Sequence, residues 1–221
     1  MCGRFTLGVE ETTLLEHVNS SYAIDALPQD FSLPRYNIAP AQKTLGIIQD
    51  AKSFKATAFI WGMQSVKHSK RIINARKETI QDRPLFKHSF NNQRCIILAD
   101  GFYEWDQTTK IPYYFKHEPK HIFAFAGIYH KDPQGHLAMS ILTKPANKIM
   151  ATYHHRMPVI LDNESINDWL NPSTPLSALF KILDTDKENL VSYPVSKAVN
   201  STRHDHKSLL DQLEQQTLFD G

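Results

Sequence analysis

Hydrophobic and polar positions alternate in short segments along most of the chain, which predicts strands, with a few stretches of helical spacing between them. Residues 2–7 read as a short strand. Leu14, Val18 and Tyr22 fall at i, i+4 and i+8, with Glu10 and Glu11 ahead of them, and predict a helix over 10–22. Pro28, Pro34 and Pro40 hold 27–43 extended. Residues 44–49 and 54–61 form a predicted hairpin that turns near Asp50-Ala51-Lys52. Cys95-Ile96-Ile97-Leu98-Ala99 is a continuous apolar run of strand length, the mark of a buried strand. It stops at Asp100-Gly101, a turn or bulge signal, and resumes as Phe102-Tyr103-Glu104-Trp105. Strands at 112–117, 122–129 and 137–143 alternate with turn-like clusters, the spacing of an antiparallel meander and not of βαβ units. Short strands follow at 159–161 and 191–195. Helices are expected over 77–82, 85–91, 145–153, from Asp162 or Asn163 to about 170, over 175–183 and from 207 to about 215. The pattern predicts one α+β domain, 1–205, on a strongly bent antiparallel sheet with a barrel-like core and peripheral helices. Residues 206–221 would form a C-terminal helix and tail.

Composition changes this picture little. The chain has 221 residues, enough for one well-buried domain, with 41% hydrophobic and 22% charged residues. No apolar run approaches a membrane span, and no secretory-type segment opens the chain, so a cytoplasmic protein is expected, nucleoid-associated if bacterial. Two cysteines without a C-x-x-C pair argue against a disulfide framework and a cysteine-based zinc site; no metal or cofactor is expected. The net charge is only +2, but residues 64–76 carry Lys67, Lys70, Arg71 and Arg76 and no acid. Such a run is a solvated loop or a phosphate-facing rim.

Candidate chemistry begins at Met1-Cys2-Gly3-Arg4-Phe5. If methionine aminopeptidase removes Met1, Cys2 carries an α-amine and a thiol on neighbouring carbons, a pair that condenses with an aldehyde and closes a thiazolidine. A chain-terminal amine ordinarily titrates at about 7.7–8.0, against about 10.4 for lysine, so more of it is neutral at pH 7. Taken alone, Cys2 reads first as the second residue of an edge strand. Glu104, between two aromatics, is partly desolvated, which raises its pKa and suits it to acid–base work; otherwise it is a surface glutamate on an edge strand. His154 and His155 point to opposite faces if extended, so one of them is a proton shuttle sooner than a metal ligand. Asn37 and Asn74 lie in turn-like contexts that asparagine commonly stabilises. Arg4, Arg76 and Arg156 would form an anion rim if they converged. Cys95, in its apolar run, is read as an inert core thiol.

Several motifs come in a fixed order: Met-Cys-Gly-Arg-Phe at 1–5, Arg-Tyr-Asn-Ile-Ala-Pro at 35–40, Trp-Gly at 61–62 and Asn-Ala-Arg-Lys-Glu-Thr at 74–79. Asp-Gly-Phe-Tyr-Glu-Trp at 100–105, His-His-Arg-Met-Pro at 154–158 and Pro-Val-Ser at 194–196 complete the series. In these motifs the chain resembles the SOS response-associated peptidase (SRAP) family over about residues 2–200. The resemblance implies a bent antiparallel sheet with peripheral helices and a covalent crosslink to abasic sites in single-stranded DNA. It implies Cys2 as the crosslinking nucleophile, Glu104 and His154 as proton-transfer groups, and Asn74 as the residue that positions the Cys2 end and the sugar. Arg4, Arg76 and Arg156 would hold phosphates, Asn37 and Pro40 would shape the pocket, and Lys67, Lys70 and Arg71 would add charge. Family members often carry tryptophans after Trp-Gly, and residues 63–71 here have none, which shifts affinity from base stacking to Lys and Arg. A cysteine peptidase with Cys2 as nucleophile and His154 as base is the competing enzyme. A non-covalent module for single-stranded or modified DNA is the competing binder. The tail, Gln215-Gln216-Thr217-Leu218-Phe219, resembles a sliding-clamp docking peptide anchored by Gln215, Leu218 and Phe219; the alternative is a terminal helix that packs Leu209, Leu210 and Leu213. A monomer is expected.

Overall fold

The computed structural model describes residues 2–51, 53–65, 68–185 and 189–214. The elements begin with β1 (Arg4–Leu7), α1 (Glu11–Tyr22), β2 (Arg35–Ile38), β3 (Lys43–Asp50), β4 (Ser53–Trp61), β5 (Met63–Ser65), β6 (His68–Ile72) and β7 (Asn74–Arg76). They continue through α2 (Pro84–Asn92), β8 (Arg94–Ala99), β9 (Gly101–Trp105), β10 (Pro112–His117), β11 (Phe123–Lys131) and β12 (Leu137–Pro145). Last come α3 (Lys148–Ala151), β13 (Arg156–Pro158), β14 (Ile160–Leu161), α4 (Ile166–Leu170), α5 (Leu176–Asp184) and β15 (Leu190–Pro194).

The α+β architecture is the expected one, and its strands divide into two large sheets and a hairpin. The first sheet runs β15-β10-β9-β1-β2. The second runs β13-β12-β4-β3-β8-β11-β14, and β11 also pairs with β12, so that β12, β4, β3, β8 and β11 close into a ring. Apolar faces of the two sheets meet in the core. Phe5 of β1 packs edge-on against Trp61 of β4 and Phe125 of β11, with ring centroids 5.0 and 5.8 Å apart. Phe102 of β9 stacks on Phe115 of β10 and also reaches Phe125. Every residue of β8 is buried, as its unbroken apolar run requires. Helix α1 buries Leu14, Val18 and Tyr22, the three positions of its helical spacing.

Several expectations need correction. Strand β1 is not an edge: it lies between β9 and β2. The basic run is not a plain loop but includes the β5–β6 hairpin and β7. The expected meander is split: β11 and β12 pair antiparallel, but β10 lies in the first sheet between β9 and β15, and the second sheet also holds parallel pairs of β12 with β4 and β7. The helix expected over 145–153 shrinks to α3, whose Asn147 side chain accepts the Met150 N–H as an N-cap. The helix expected from 207 is a single 3₁₀ turn, Lys207–Leu210, followed by a bridge between Val195 and Gln212. A backbone carbonyl at Pro194 takes the Leu213 N–H, so sheet pairing wins over helix there. Leu209 still packs with Tyr103, Tyr114, Val195 and Val199, while Leu213 is exposed. Gln215, Leu218 and Phe219 lie outside the described residues. No helix among those described is long and apolar enough to cross a membrane.

Candidate active site

The site is built where the first sheet meets β7 and the α3–β13 connection. Strand β9 supplies Glu104. Its register is fixed by antiparallel pairing on both sides, Arg4 opposite Tyr103 in β1 and Tyr113 opposite Glu104 in β10. A side chain at the start of β9 would collide with its neighbour, since a Cβ on Gly101 would overlap the Tyr114 hydroxyl. Glycine is therefore what lets β9 lie against β10 at that point. Because residues two apart share a face, Glu104 follows Phe102 on the side turned to the second sheet. It is only 4% exposed, and burial raises its carboxyl pKa above the usual range. The carboxylic acid form therefore persists to higher pH than on a surface glutamate.

Cys2 is wholly buried. Its carbonyl accepts a hydrogen bond of 3.0 Å from Asn74 Nδ2, and its Sγ lies 3.8 Å from the Arg4 carbonyl oxygen. Burial first, and the neighbouring Glu104 charge second, push the thiol pKa far up. The thiol is thus protonated at neutral pH, not a preformed thiolate. Asn74 sits on β7, held parallel to β12 with Asn74 opposite Ile141. Its Oδ1 is buried without a hydrogen-bond partner among the described residues, an acceptor that a donor on a ligand could fill.

His154 follows α3. Its Nδ1 accepts the Arg156 backbone N–H at 2.9 Å, and its ring stacks on His155 with centroids 4.3 Å apart. Burial, with the His155 charge among the further causes, lowers its pKa to about 4, so the ring is neutral at physiological pH. Next to it, Tyr153 packs 4.4 Å from the ring of Tyr113, the cross-strand partner of Glu104. The tyrosine pair thereby ties the histidine segment to the strands that carry the carboxyl group.

The three arginines have different surroundings. Arg4 donates to Asn37 Oδ1 at 2.8 Å, the Val199 carbonyl at 2.5 Å and the Asn200 carbonyl at 3.1 Å. Asn37 is wholly buried and donates to the carbonyls of Val199, Ser201 and His204. Arg156 is paired with Glu78 by two hydrogen bonds. Arg76 is exposed at the end of β7. Lys70 is exposed, Arg71 donates to the Gly62 carbonyl at 3.0 Å, and Pro40 lies exposed in the turn after β2. Lys67 lies outside the described residues. Among the described residues no three His, Cys, Asp or Glu side chains are grouped to hold a metal ion.

Sequence reasoning missed Glu78, Thr143, whose carbonyl accepts from Arg156 Nη2 at 2.7 Å, and the tyrosine pair. Glu78 had a signal, an acid two residues from Arg76 inside a polar motif, but its partner is 78 positions away. The indole of Trp105 was also missed; its Nε1 donates to Asn200 Oδ1 at 2.8 Å and so closes the loop that holds Arg4.

The family model described as SOS response associated peptidase (SRAP) matches residues 1–202. Among curated proteins, the abasic site processing protein YoqW of Bacillus subtilis is 38% identical over 96% of this chain and 99% of its own length. The abasic site processing protein HMCES of Gallus gallus is 33% identical over 64% of this chain and 50% of its own. A crystal structure of a Bacteroides thetaiotaomicron protein shares the fold, with TM-score 0.79 at 22% identity, covering 96% of this chain and 100% of that one.

Proposed function

The chain belongs to the SOS response associated peptidase (SRAP) family, and on that premise we propose that it processes abasic sites in single-stranded DNA by forming a covalent adduct through Cys2. The observation that carries this reading is the position of Cys2: buried, fixed through its carbonyl by Asn74, and beside the Glu104 carboxyl. Removal of Met1 exposes the α-amine of Cys2. An abasic deoxyribose in its open form offers an aldehyde at C1′. The neutral amine adds to that carbon and water leaves, which gives an imine. The Cys2 sulfur then bonds to C1′, and the thiol proton passes to the imine nitrogen as the thiazolidine closes. Burial holds the thiol protonated until the imine nitrogen takes its proton, so the thiolate forms next to the carbon it attacks.

Glu104 suits the proton donor's role in the loss of water, because burial keeps it protonated to higher pH. His154 lies in the segment docked on Tyr113 and takes part through its neutral ring. Arg76 and Lys70, both exposed, are the described cations best placed to meet phosphates. Arg4, with Asn37, braces β1, the strand that follows Cys2. The protein acts as a monomer in this scheme, and the tail peptide at Gln215, Leu218 and Phe219 recruits it to a sliding clamp.

The test uses protein with Met1 removed, verified by intact mass, and a single-stranded oligonucleotide with one abasic site. A heat-stable adduct that is lost in Cys2→Ala and in protein that retains Met1 supports the proposal. Its absence from the processed wild type refutes it; salt-sensitive binding without an adduct would leave a non-covalent module instead. Deletion of 215–221 should remove clamp pull-down and leave crosslinking unchanged; intact clamp binding would refute the tail's role.

A further inference from the structure

Arg156 is a cation almost wholly inside the protein, 7% exposed, and a charge so placed has to be paired. Glu78 pairs it. The two carboxylate oxygens accept from Nη1 at 2.6 Å and Nη2 at 2.9 Å, fork to fork. Nη2 also donates to the Thr143 carbonyl at 2.7 Å and the Thr143 hydroxyl at 3.2 Å. The arginine is therefore held from β12 and from the short helix Lys77–Thr79 at once. Its main chain has a separate task. Arg156 opens β13, and its N–H donates to Nδ1 of His154 at 2.9 Å. A ring nitrogen that accepts a hydrogen bond cannot also carry the ring proton. Neutral His154 is therefore the Nε2–H tautomer, and its remaining ring nitrogen is a donor.

We infer that Glu78 is a positioning residue: by clamping Arg156 it fixes the main-chain N–H that holds His154 as a donor at Nε2. The purpose of that donor rests on the abasic-site reading above. It would stabilise negative charge as it develops on a substrate oxygen, while Glu104 supplies the proton. His154 then works by hydrogen bonding and not as a base, because the lone pair a base needs is already engaged. The clamp also explains why a guanidinium in a DNA-processing site is tied to an acid: its side chain serves the scaffold and its backbone serves the histidine.

The test needs a readout that does not depend on crosslinking. Nitrogen NMR of the full chain with ¹⁵N-labelled histidine reports which nitrogen of His154 carries the proton. The wild type should show the Nε2–H form alone. Glu78→Ala should mix the two tautomers, slow single-turnover adduct formation on the abasic oligonucleotide by about tenfold or more, and leave affinity for the undamaged strand unchanged. Glu78→Gln, which keeps the shape and part of the hydrogen bonding, should fall between, and it carries the test if the alanine variant does not fold. A proton on Nδ1 in the wild type would overturn the inference. So would Glu78 variants, folded by circular dichroism, that keep the wild-type tautomer and rate. Should the wild type form no adduct while Glu78→Ala still shifts the tautomer, the abasic-site reading fails and the clamp on His154 stands.

Discussion

The molecule has two cysteines, both wholly buried and both with thiols pushed far up in pKa by burial, yet their surroundings differ in kind. Cys95 is the second residue of β8, opposite Gly127 of β11, and its carbonyl takes the Trp169 Nε1–H at 2.9 Å. A Cβ on Gly127 would come within 2.8 Å of its sulfur, so the thiol fills a space left by a missing side chain. Cys2 is equally dry but has Glu104, Asn74 and the end of the chain for company. Burial alone makes a thiol inert. In the proposed chemistry, what separates the two is a second group that would start the reaction, the α-amine, and polar neighbours that would move protons.

The largest expected effect is the one that breaks the comparison outright. Cys2→Ser retains the amine but loses the sulfur, so no heat-stable adduct should form, while an imine trapped by borohydride should still appear on denaturing gels. Cys95→Ser should do the reverse: adduct formation proceeds at the wild-type rate, while a hydroxyl buried in apolar surroundings lowers stability by about 1–3 kcal/mol in urea unfolding. Next comes Glu104→Gln, which should slow adduct formation by about 10²-fold with binding to undamaged single strands intact; equal loss of both would make Glu104 structural. A third test sits at the core cysteine. Gly127→Ala should cost about 1–3 kcal/mol through overpacking against Cys95, and Cys95→Ala in the same chain should recover part of that cost.

The smallest effect concerns pH. His154 has its folded pKa lowered to about 4, against about 6.5 unfolded. As pH falls below about 6.5 the unfolded chain gains a proton that the folded chain refuses, so stability declines between about 6.5 and 4. It is fully present above that window. His154→Gln should flatten this part of a melting-temperature profile, and between pH 6 and 8 its adduct rate should differ from the wild type by a constant factor.

Much of the fold could be read from residue pattern because the deciding interactions are local. The run of residues 95–99 has the length and apolar continuity of a covered strand, and Leu14, Val18 and Tyr22 have the spacing of a helix face. Glu104 is similar, since its aromatic neighbours announced its desolvation. The site's assembly was not legible. Asn74 reaches the Cys2 carbonyl across 72 positions, and Arg4 closes on residues 199 and 200 across almost the whole chain. Helical spacing also misled, most clearly at 207–215. There Leu209, Leu210 and Leu213 suggested one face, but the carbonyl of Pro194 and the Val195–Gln212 bridge captured the backbone. Arg4 and Arg156, two of the three arginines expected as a converging rim, have private partners, because a guanidinium near the interior must first satisfy its own charge, whereas Arg76 is exposed.

The stitching of residues 199–205 also sets how short a working version of this protein can be made. Asp205 accepts the backbone N–H groups of Tyr36 and Asn37 and pairs with Arg35, so it finishes an open flank of β2. Asn37 in turn orients Arg4, one strand away and two residues from Cys2. A recombinant fragment cut at 202, where the family match stops, would leave those N–H groups to water and loosen the Cys2 end some 200 positions upstream. A trimmed version for crystallisation, sensor design or fusion should therefore retain at least residue 213, the last among the described residues whose backbone is bonded to β15.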